Sequence, residues 1–241
     1  MKQIGGIRLI LPAFLQKAPE YPEYVGLEDE FLRSLELERQ TVYDVGAFQG
    51  IFTLFFARKV GPEGHVVAFE PYPINYQRVV ENVGINHLDN VTIRHVGVGR
   101  VTGELEFVAP IGGLAGRASA SREIQGEIES TGLKTQSFSV HVVSLDDEIK
   151  QSSLPTPDLV KIDVEGLEFD VLQGMKETIG EHKPALFIEI HGSGAEAKQV
   201  NAERVVSFVA SHGYEMWHIE SGQAVDESTA SKAAEGHLYC T

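Results

Sequence analysis

The chain has 241 residues, of which 42 % are hydrophobic and 23 % are charged, which is typical of one globular domain with a sizeable core. Acidic residues outnumber basic ones by 35 to 20, and no run of Lys and Arg offsets the net charge of −15, so a nucleic-acid partner is not expected. The single cysteine, Cys240, excludes a disulfide framework and disfavours a cysteine-based zinc site.

The sequence also gives expectations about the N-terminal segment and the location of the protein. No apolar run is long enough to span a bilayer, so no membrane partner is expected. The apolar stretch at 9–15 is broken by Pro12 and lacks a small-residue cleavage site, so we interpret it as mature chain. With the lone cysteine, this predicts a cytoplasmic protein. We interpret 1–26 as an N-terminal strap or lid and 27–241 as a single domain.

The first regular elements carry the main motif of the chain. Leu27, Phe31 and Leu35 recur at helical spacing and predict an amphipathic helix. The stretch Thr-Val-Tyr-Asp-Val-Gly-Ala-Phe-Gln-Gly at 41–50 is then typical of a buried strand, a glycine turn and the start of a helix. Such a turn lets a ligand approach backbone N–H groups closely and favours a ribose-bearing ligand.

Further strands and helices alternate along the chain, which predicts parallel crossovers and a doubly wound α/β sheet. Period-two alternation at 103–108 and 138–143 instead predicts an inserted antiparallel hairpin. Residues 110–137 between them show no clear period and are either a substrate loop or disordered. The remaining predicted strands lie at 65–70, 91–96, 157–166 and 185–192, and a closing hairpin joins 215–220 with 236–240. The remaining predicted helices lie at 51–60, 74–83, 167–175 and 195–212.

Acidic residues follow four of the predicted parallel strands, at the edge of the sheet where ligands bind in open α/β folds. A rim of this charge disfavours a triphosphate or pyrophosphate and suits a cationic ligand. The turn has the spacing Asp-x-Gly-x-x-x-Gly, which differs from both the dinucleotide fingerprint and the P-loop. S-adenosylmethionine, with a ribose, an ammonium and a sulfonium, matches the glycines and the acids. The strand-end residues are Asp44, Glu70, Asp163 with Glu165, and Glu189 with His191.

Four segments of the chain resemble the FkbM-type group of class I S-adenosylmethionine-dependent methyltransferases. The most distinctive is Leu-Val-Lys-Ile-Asp-Val-Glu-Gly at 159–166, and the others lie at 44–50, 69–73 and 144–147. The resemblance implies a mostly parallel, seven-stranded Rossmann-like sheet whose last strand is antiparallel. It also implies methyl transfer, commonly to a hydroxyl oxygen of a sugar or a secondary metabolite, so the expected partner is a small-molecule acceptor.

The resemblance also assigns cofactor-binding residues. Asp44, Gly46 and Gly50 would line the methionine part of S-adenosylmethionine, Glu70 would hold the ribose hydroxyls, and Val98 would border the adenine. The same set of cofactor-binding residues is completed by Ala47, Pro71 and Asp163.

A hydroxyl acceptor needs a base close by, and we predict that Asp163, Glu165 and His191 face the acceptor, with Asp163 or His191 as that base. Glu189 is expected near the pocket instead of in it. No metal site is predicted, because only two carboxylates can be placed together from the sequence. Two alternatives remain open, a nicotinamide-dependent oxidoreductase and a non-catalytic binding module with a methyltransferase fold.

Overall fold

The computed structural model describes residues 2–4, 7–9, 27–111, 119–132 and 134–241. The N-terminal strap or lid predicted at 1–26 lies outside this description, apart from a hairpin of two short antiparallel strands, β1 (Lys2–Ile4) and β2 (Ile7–Leu9). The other described strands are β3 (Thr41–Val45), β4 (His65–Phe69), β5 (Val91–Arg94), β6 (Gly97–Val98), β7 (Gly103–Pro110), β8 (Thr135–Val143), β9 (Leu159–Ile162), β10 (Ala185–Glu189), β11 (Met216–His218), β12 (Gln223–Val225) and β13 (His237–Cys240).

The predicted alternation of strands and helices is confirmed. The described helices are Leu27–Ser34, Ile51–Lys59, Pro73–Ile85, Arg122–Ser130, Leu145–Ser152, Glu168–Gly174, Lys176–His182 and Gly194–Ser211, with a 3-10 helix at Ala230–Ala233. Local sequence explains two of the helix starts. Gly50 precedes Ile51 in the left-handed conformation at φ 84°, and Pro73 occupies the first turn of its helix, where its missing N–H costs nothing.

The central sheet has the order β12-β11-β13-β10-β9-β3-β4-β5. Its strands from β10 to β5 are parallel, whereas β13 runs antiparallel to both β10 and β11. Seven of these eight strands make the sheet that the resemblance implies. The eighth, β12, is an edge strand that pairs only with β11 among the described strands and was not predicted.

Both faces of the sheet are covered, because alternate residues of each parallel strand point to opposite sides. Tyr43 and Ile162 pack in one apolar cluster with Val205 and other residues of the helix Gly194–Ser211. Val42 packs on the opposite face with Phe56 from the helix Ile51–Lys59. Each large side chain buried in this way contributes about 1.5–3 kcal/mol.

The inserted hairpin is confirmed and is longer than predicted. Strands β7 and β8 pair along their length, from Gly103 opposite Val142 to Pro110 opposite Thr135, and β6 joins them in a separate three-stranded sheet. The interpretation of 110–137 as an irregular loop was wrong for its second half, which contains the helix Arg122–Ser130. Residues 112–118 and 133 of that predicted loop lie outside the described residues.

Candidate active site

The carboxyl ends of β3, β4, β9 and β10 meet at one edge of the sheet and border the same pocket. The acidic or basic residues on its wall are Glu70, Asp163, Glu165, Glu189 and His191, and the apolar wall includes Pro71, Val96, Val98 and Phe107. The pocket therefore combines an apolar side with a strongly acidic rim, as the strand-end residues predict.

The glycine turn after β3 is closed by hydrogen bonds within the chain. The N–H groups of Gly46 and Ala47 both donate to the carbonyl of Phe69, at 3.1 and 3.0 Å, and the Gly50 N–H donates to the Ala47 carbonyl. Neighbouring backbone thus satisfies these three N–H groups, which leaves them no hydrogen bond to donate to a ligand. What the turn offers a ligand is a close approach to its backbone at Gly46.

Gly46 also touches the turn after β9. It adopts φ 83°, and a Cβ atom built on it would lie 1.8 Å from the carbonyl oxygen of Asp163. Only glycine fits there, because a side chain would overlap the Asp163 backbone and the left-handed conformation disfavours other residues. The turn predicted to bind the cofactor and the turn predicted to be catalytic are thus in direct contact.

Glu70 is buried at the end of β4 and is held by backbone groups on both sides. Its Oε2 atom accepts the Phe48 N–H at 2.8 Å, and its Oε1 atom accepts the Tyr72 N–H at 2.8 Å. Burial raises the pKa of Glu70 to about 8, although these hydrogen bonds oppose the rise. Asn75 Nδ2 also donates to Oε1 at 3.4 Å, so Oε2 is the oxygen that keeps a lone pair for a hydroxyl in the pocket.

The ammonium group of Lys161, a residue of β9, lies close to both Asp44 and Asp163. Lys161 Nζ is 3.0 Å from Asp163 Oδ2 and 3.7 Å from Asp44 Oδ1, and it also lies over the Phe52 ring. Asp44 Oδ2 accepts the Thr53 hydroxyl at 2.5 Å. Burial raises the pKa of the Asp44 carboxyl, whereas the Lys161 charge lowers it.

The turn after β9 has an unusual backbone. Glu165 adopts φ 51° and Gly166 φ 94°, two successive left-handed residues. A non-glycine residue in that region costs roughly 1–3 kcal/mol and persists only where its surroundings impose it. Here the Glu165 carbonyl accepts the Ser119 hydroxyl at 2.8 Å, so the inserted region helps to hold this turn.

His191 is surrounded by three carboxylates. Its Nδ1 atom is 3.0 Å from Glu168 Oε1, and its Nε2 atom is 3.4 Å from Glu189 Oε1 and 3.8 Å from Asp163 Oδ1. Burial lowers the pKa of His191, but the hydrogen bonds to Glu168 and Glu189 and the nearby carboxylate charges outweigh it and raise the pKa to about 11. At neutral pH the ring is therefore an imidazolium, which carries charge but cannot act as a base.

The structure brings most of the predicted site residues together. Of the predicted cofactor-binding set, Asp44, Ala47 and Gly50 do not line the pocket, and Asp44 is fully buried behind it. Glu189 lines the pocket, contrary to the expectation that it lies only nearby. The predicted residues on the pocket wall are Gly46, Glu70, Pro71, Val98, Asp163, Glu165 and His191.

Sequence reasoning missed two residues that hold the site. Lys161 lies in the distinctive Lys-Ile-Asp-Val-Glu-Gly run, and a lysine within a buried strand is an unusual residue that could have drawn attention to it. Glu168 is fully buried and accepts hydrogen bonds from His191, from the Gly166 N–H at 3.0 Å and from Asn201 Nδ2 at 2.6 Å. In the sequence it looks like an ordinary acid in the first turn of a helix.

No helix among the described residues is long and apolar enough to cross a membrane. A comparison with known protein families gives a clear match. The family model for the methyltransferase FkbM domain matches residues 44–216, well over half of the chain. The chain belongs to the FkbM methyltransferase family. The match includes every strand end that borders the pocket.

Relatives of this FkbM chain are distant in sequence. It is 27 % identical over 164 residues to the hexuronic acid methyltransferase AglP of Haloferax volcanii, covering 68 % of this chain and 60 % of AglP. It is 28 % identical over 152 residues to the 2-O-methyltransferase NoeI of Sinorhizobium fredii, covering 60 % and 61 %. The 28 % match to the antimetabolite synthetase AmbE of Pseudomonas aeruginosa covers 73 % of this chain but only 9 % of that protein. The chain thus spans less than two thirds of the length of these relatives.

Solved structures support the same fold. The methyltransferase FkbM from Methylobacillus flagellatus superposes with a TM-score of 0.54 at 21 % identity, over 87 % of this chain and 45 % of that one. An S-adenosylmethionine-dependent methyltransferase from Aquifex aeolicus superposes with a TM-score of 0.50 at 14 % identity, over 96 % of both chains. The predicted Rossmann-like methyltransferase fold is confirmed.

Proposed function

We propose that this chain is an S-adenosylmethionine-dependent O-methyltransferase that acts on a hydroxyl group of a sugar or a secondary metabolite. The observation that carries the proposal is the shared pocket in which Glu70, at the end of β4, faces the same space as Asp163 and His191. This arrangement gives one cavity both a carboxyl suited to ribose and a candidate base. Membership of the FkbM family and the names of AglP and NoeI support it.

The pocket residues fit S-adenosylmethionine by their chemistry. Glu70 offers a lone pair on Oε2 to a ribose hydroxyl, and the apolar wall that includes Val98 and Pro71 suits the adenine ring. The methionine part would lie beside the Gly46 backbone on the pocket wall, and the acids of the rim complement its positive charge. Asp44, Ala47 and Gly50 do not line the pocket, and their role would be to maintain the conformation of the turn.

When bound, S-adenosylmethionine supplies an electrophilic methyl group on a sulfonium centre. The chain orients the two reactants, and orientation of this kind is worth roughly 7–11 kcal/mol of barrier. As the new bond to oxygen forms, the hydroxyl proton must leave to a base. We assign that role to Asp163, because its carboxylate lies on the pocket wall, whereas His191 already holds its proton.

His191 then acts through its charge. An imidazolium beside Asp163 stabilises negative charge that develops on the acceptor oxygen in the pocket. Glu165 lies on the same wall and would contact the acceptor. Its left-handed backbone conformation is of the kind that clusters at functional sites. The Ser119 contact brings the inserted region next to this acceptor side.

Calorimetric titration of the full chain with S-adenosylmethionine, S-adenosylhomocysteine and NAD tests the proposal. Binding of the first two and not of NAD is expected, followed by release of S-adenosylhomocysteine in a screen of hydroxylated acceptors. A Glu70→Ala variant should weaken both titrations, and a Glu63→Ala variant, far from the pocket, should not. Binding of NAD alone would point to an oxidoreductase, and no binding at all to a non-catalytic module.

A further inference from the structure

We propose that Asp163, Glu189 and His191 form a binding site for one divalent metal ion at the rim of the pocket. The three ligand atoms would be Asp163 Oδ1, Glu189 Oε1 and His191 Nε2. All three residues line the pocket, and one ligand atom from each can be chosen so that they lie within 4.8 Å of one another. None of the three side chains is fully buried, so an ion can reach them from the pocket.

The distances suit a metal ion after modest movements of the three side chains. His191 Nε2 is 3.4 Å from Glu189 Oε1 and 3.8 Å from Asp163 Oδ1. Metal–ligand bonds of about 2.0–2.2 Å place neighbouring ligands about 3.4 Å apart in tetrahedral geometry and about 3.0 Å apart in the octahedral geometry usual for Mn²⁺. The His191–Glu189 pair is within about 0.4 Å of either separation, and the His191–Asp163 pair is within about 0.8 Å. The Asp163 and Glu189 ligand atoms, which lie within 4.8 Å of one another, would also have to close onto the ion.

His191 is oriented in the way that metal-bound histidines are. Its Nδ1 atom donates to the fully buried carboxylate of Glu168, which is itself fixed by Asn201 and by the Gly166 N–H. A carboxylate on the far ring nitrogen sets the ring orientation and makes the near nitrogen a better ligand. The Nε2 atom is thereby directed toward the two other carboxylates.

The two carboxylates are anchored by their opposite oxygens. Lys161 Nζ donates to Asp163 Oδ2 at 3.0 Å, which leaves Oδ1 on the side of His191. His237 Nε2 lies 3.6 Å from Glu189 Oε2, while Glu189 Oε1 faces His191. Each proposed ligand thus uses one atom for the protein and presents the other to the same point, which distinguishes this cluster from a solvated acidic patch.

The ligand chemistry indicates the class of ion. Two carboxylate oxygens and one imidazole nitrogen suit a first-row ion such as Mn²⁺ better than Ca²⁺ or Mg²⁺, which prefer oxygen throughout. When the ion binds, His191 loses its Nε2 proton to solvent, and the ion supplies the positive charge that the imidazolium carries in the metal-free site. Three protein ligands leave coordination positions open to the pocket, and, if the proposed methyl transfer is correct, the acceptor hydroxyl would occupy one of them.

Titration of chelator-treated full chain with Mn²⁺, with free Mn²⁺ followed by its EPR signal, tests the site. We expect one ion to bind saturably, and Glu189→Gln to weaken binding at least tenfold. Glu168→Gln should weaken it by about 10–100-fold, as removal of an outer-shell partner does. The matched control is Glu104→Gln, which removes an exposed carboxylate 3.0 Å from His141 Nδ1 and should leave Mn²⁺ binding unchanged.

Glu168 is fully buried, so the Glu168→Gln variant is compared only if it folds. If it does not fold, the test rests on Glu189→Gln, because the Glu189 side chain is 37 % exposed. Absence of saturable Mn²⁺ binding, or wild-type binding by Glu189→Gln, would overturn the site. The same samples are titrated with S-adenosylmethionine. Mn²⁺ binding without S-adenosylmethionine binding would contradict the proposed function and support the metal site. S-adenosylmethionine binding without Mn²⁺ binding would contradict the metal site alone.

Discussion

Lys161 Nζ donates a hydrogen bond of 3.0 Å to Asp163 Oδ2 from a side chain that is only 3 % exposed. The same ammonium is 3.7 Å from Asp44 Oδ1, in a carboxyl that is fully buried. The predicted cofactor-side acid and the proposed base are therefore coupled through one buried lysine. Loss of the Lys161 positive charge would therefore leave both carboxylates without compensation, at a large electrostatic cost.

Replacement of Lys161 by Met should destabilise the fold. Removal of one partner of a buried ion pair leaves an uncompensated charge and costs about 3–5 kcal/mol. The free energy of unfolding measured in urea checks this. Lys150→Met is the control, because Lys150 pairs with Glu177 at an exposed position and its loss should matter far less. Equal losses in the two variants would contradict the buried role of Lys161.

Replacement of Gly46 by Ala should cost more than its backbone conformation alone explains. A left-handed alanine costs about 1–2 kcal/mol, and the new Cβ would also overlap the Asp163 carbonyl. Gly61→Ala separates the two effects, because Gly61 has φ 72° and no atom of the described residues lies within 4 Å of the point that its Cβ would occupy. Urea denaturation of both variants should show the larger loss at Gly46; similar losses would mean that the Asp163 turn moves aside easily.

Asp163→Asn should lower kcat by roughly 10²- to 10⁴-fold, the usual contribution of a positioned base. The amide keeps the shape of the side chain but cannot take the acceptor proton. Turnover is followed by S-adenosylhomocysteine release, and binding of S-adenosylmethionine by calorimetry should persist. Glu165→Gln is the comparison variant on the same turn. A larger kcat loss there than in Asp163→Asn would transfer the base to Glu165.

Stability should depend on pH through Glu70. Burial raises its pKa from 4.5 to about 8, so the folded state holds a proton that the unfolded chain has already lost in this range. The resulting stabilisation is fully present below pH 4.5 and is lost as the pH rises through about 8. The free energy of unfolding of the wild type should therefore fall relative to that of Glu70→Gln between about pH 5 and pH 8. Parallel curves for the two proteins would contradict the raised pKa.

The single thiol should report unfolding. Cys240 is fully buried in β13, and burial raises the pKa of its thiol, so the reactive thiolate is suppressed. Labelling with a disulfide reagent should be slow in the native protein and should follow the urea transition measured by circular dichroism. Rapid labelling without denaturant would show that this strand opens locally.

Much of the fold follows from the sequence, because strongly periodic apolar segments determine it. The buried strands and the glycine turn at 41–50 carry signals that depend only on neighbouring residues. The helix Arg122–Ser130 escaped prediction because only Ile124 and Ile128 recur at helical spacing, and Gly126 interrupts the pattern. Those two residues are buried against Val108 of β7, a contact distant in sequence.

The candidate site is less predictable, because its chemistry depends on pairs that are far apart in the chain. Strand ends indicate which acids share an edge, and that prediction located Asp163 and His191 correctly on the pocket wall. The protonation of His191 depends on Glu168, which is 23 residues away in a helix, and on the short distance between Glu189 Oε1 and His191 Nε2. No spacing rule encodes such contacts.

The contact between Gly46 and the Asp163 carbonyl has a consequence for protein engineering. A library that varies position 46 to alter methyl-donor selectivity would also shift the backbone that carries the proposed base, so gains in one property would be masked by losses in the other. The two positions are best kept together as one fixed unit. Diversity aimed at new acceptors belongs instead around Ser119, whose hydroxyl contacts the Glu165 carbonyl, and around Phe107 of the inserted hairpin, which lines the pocket.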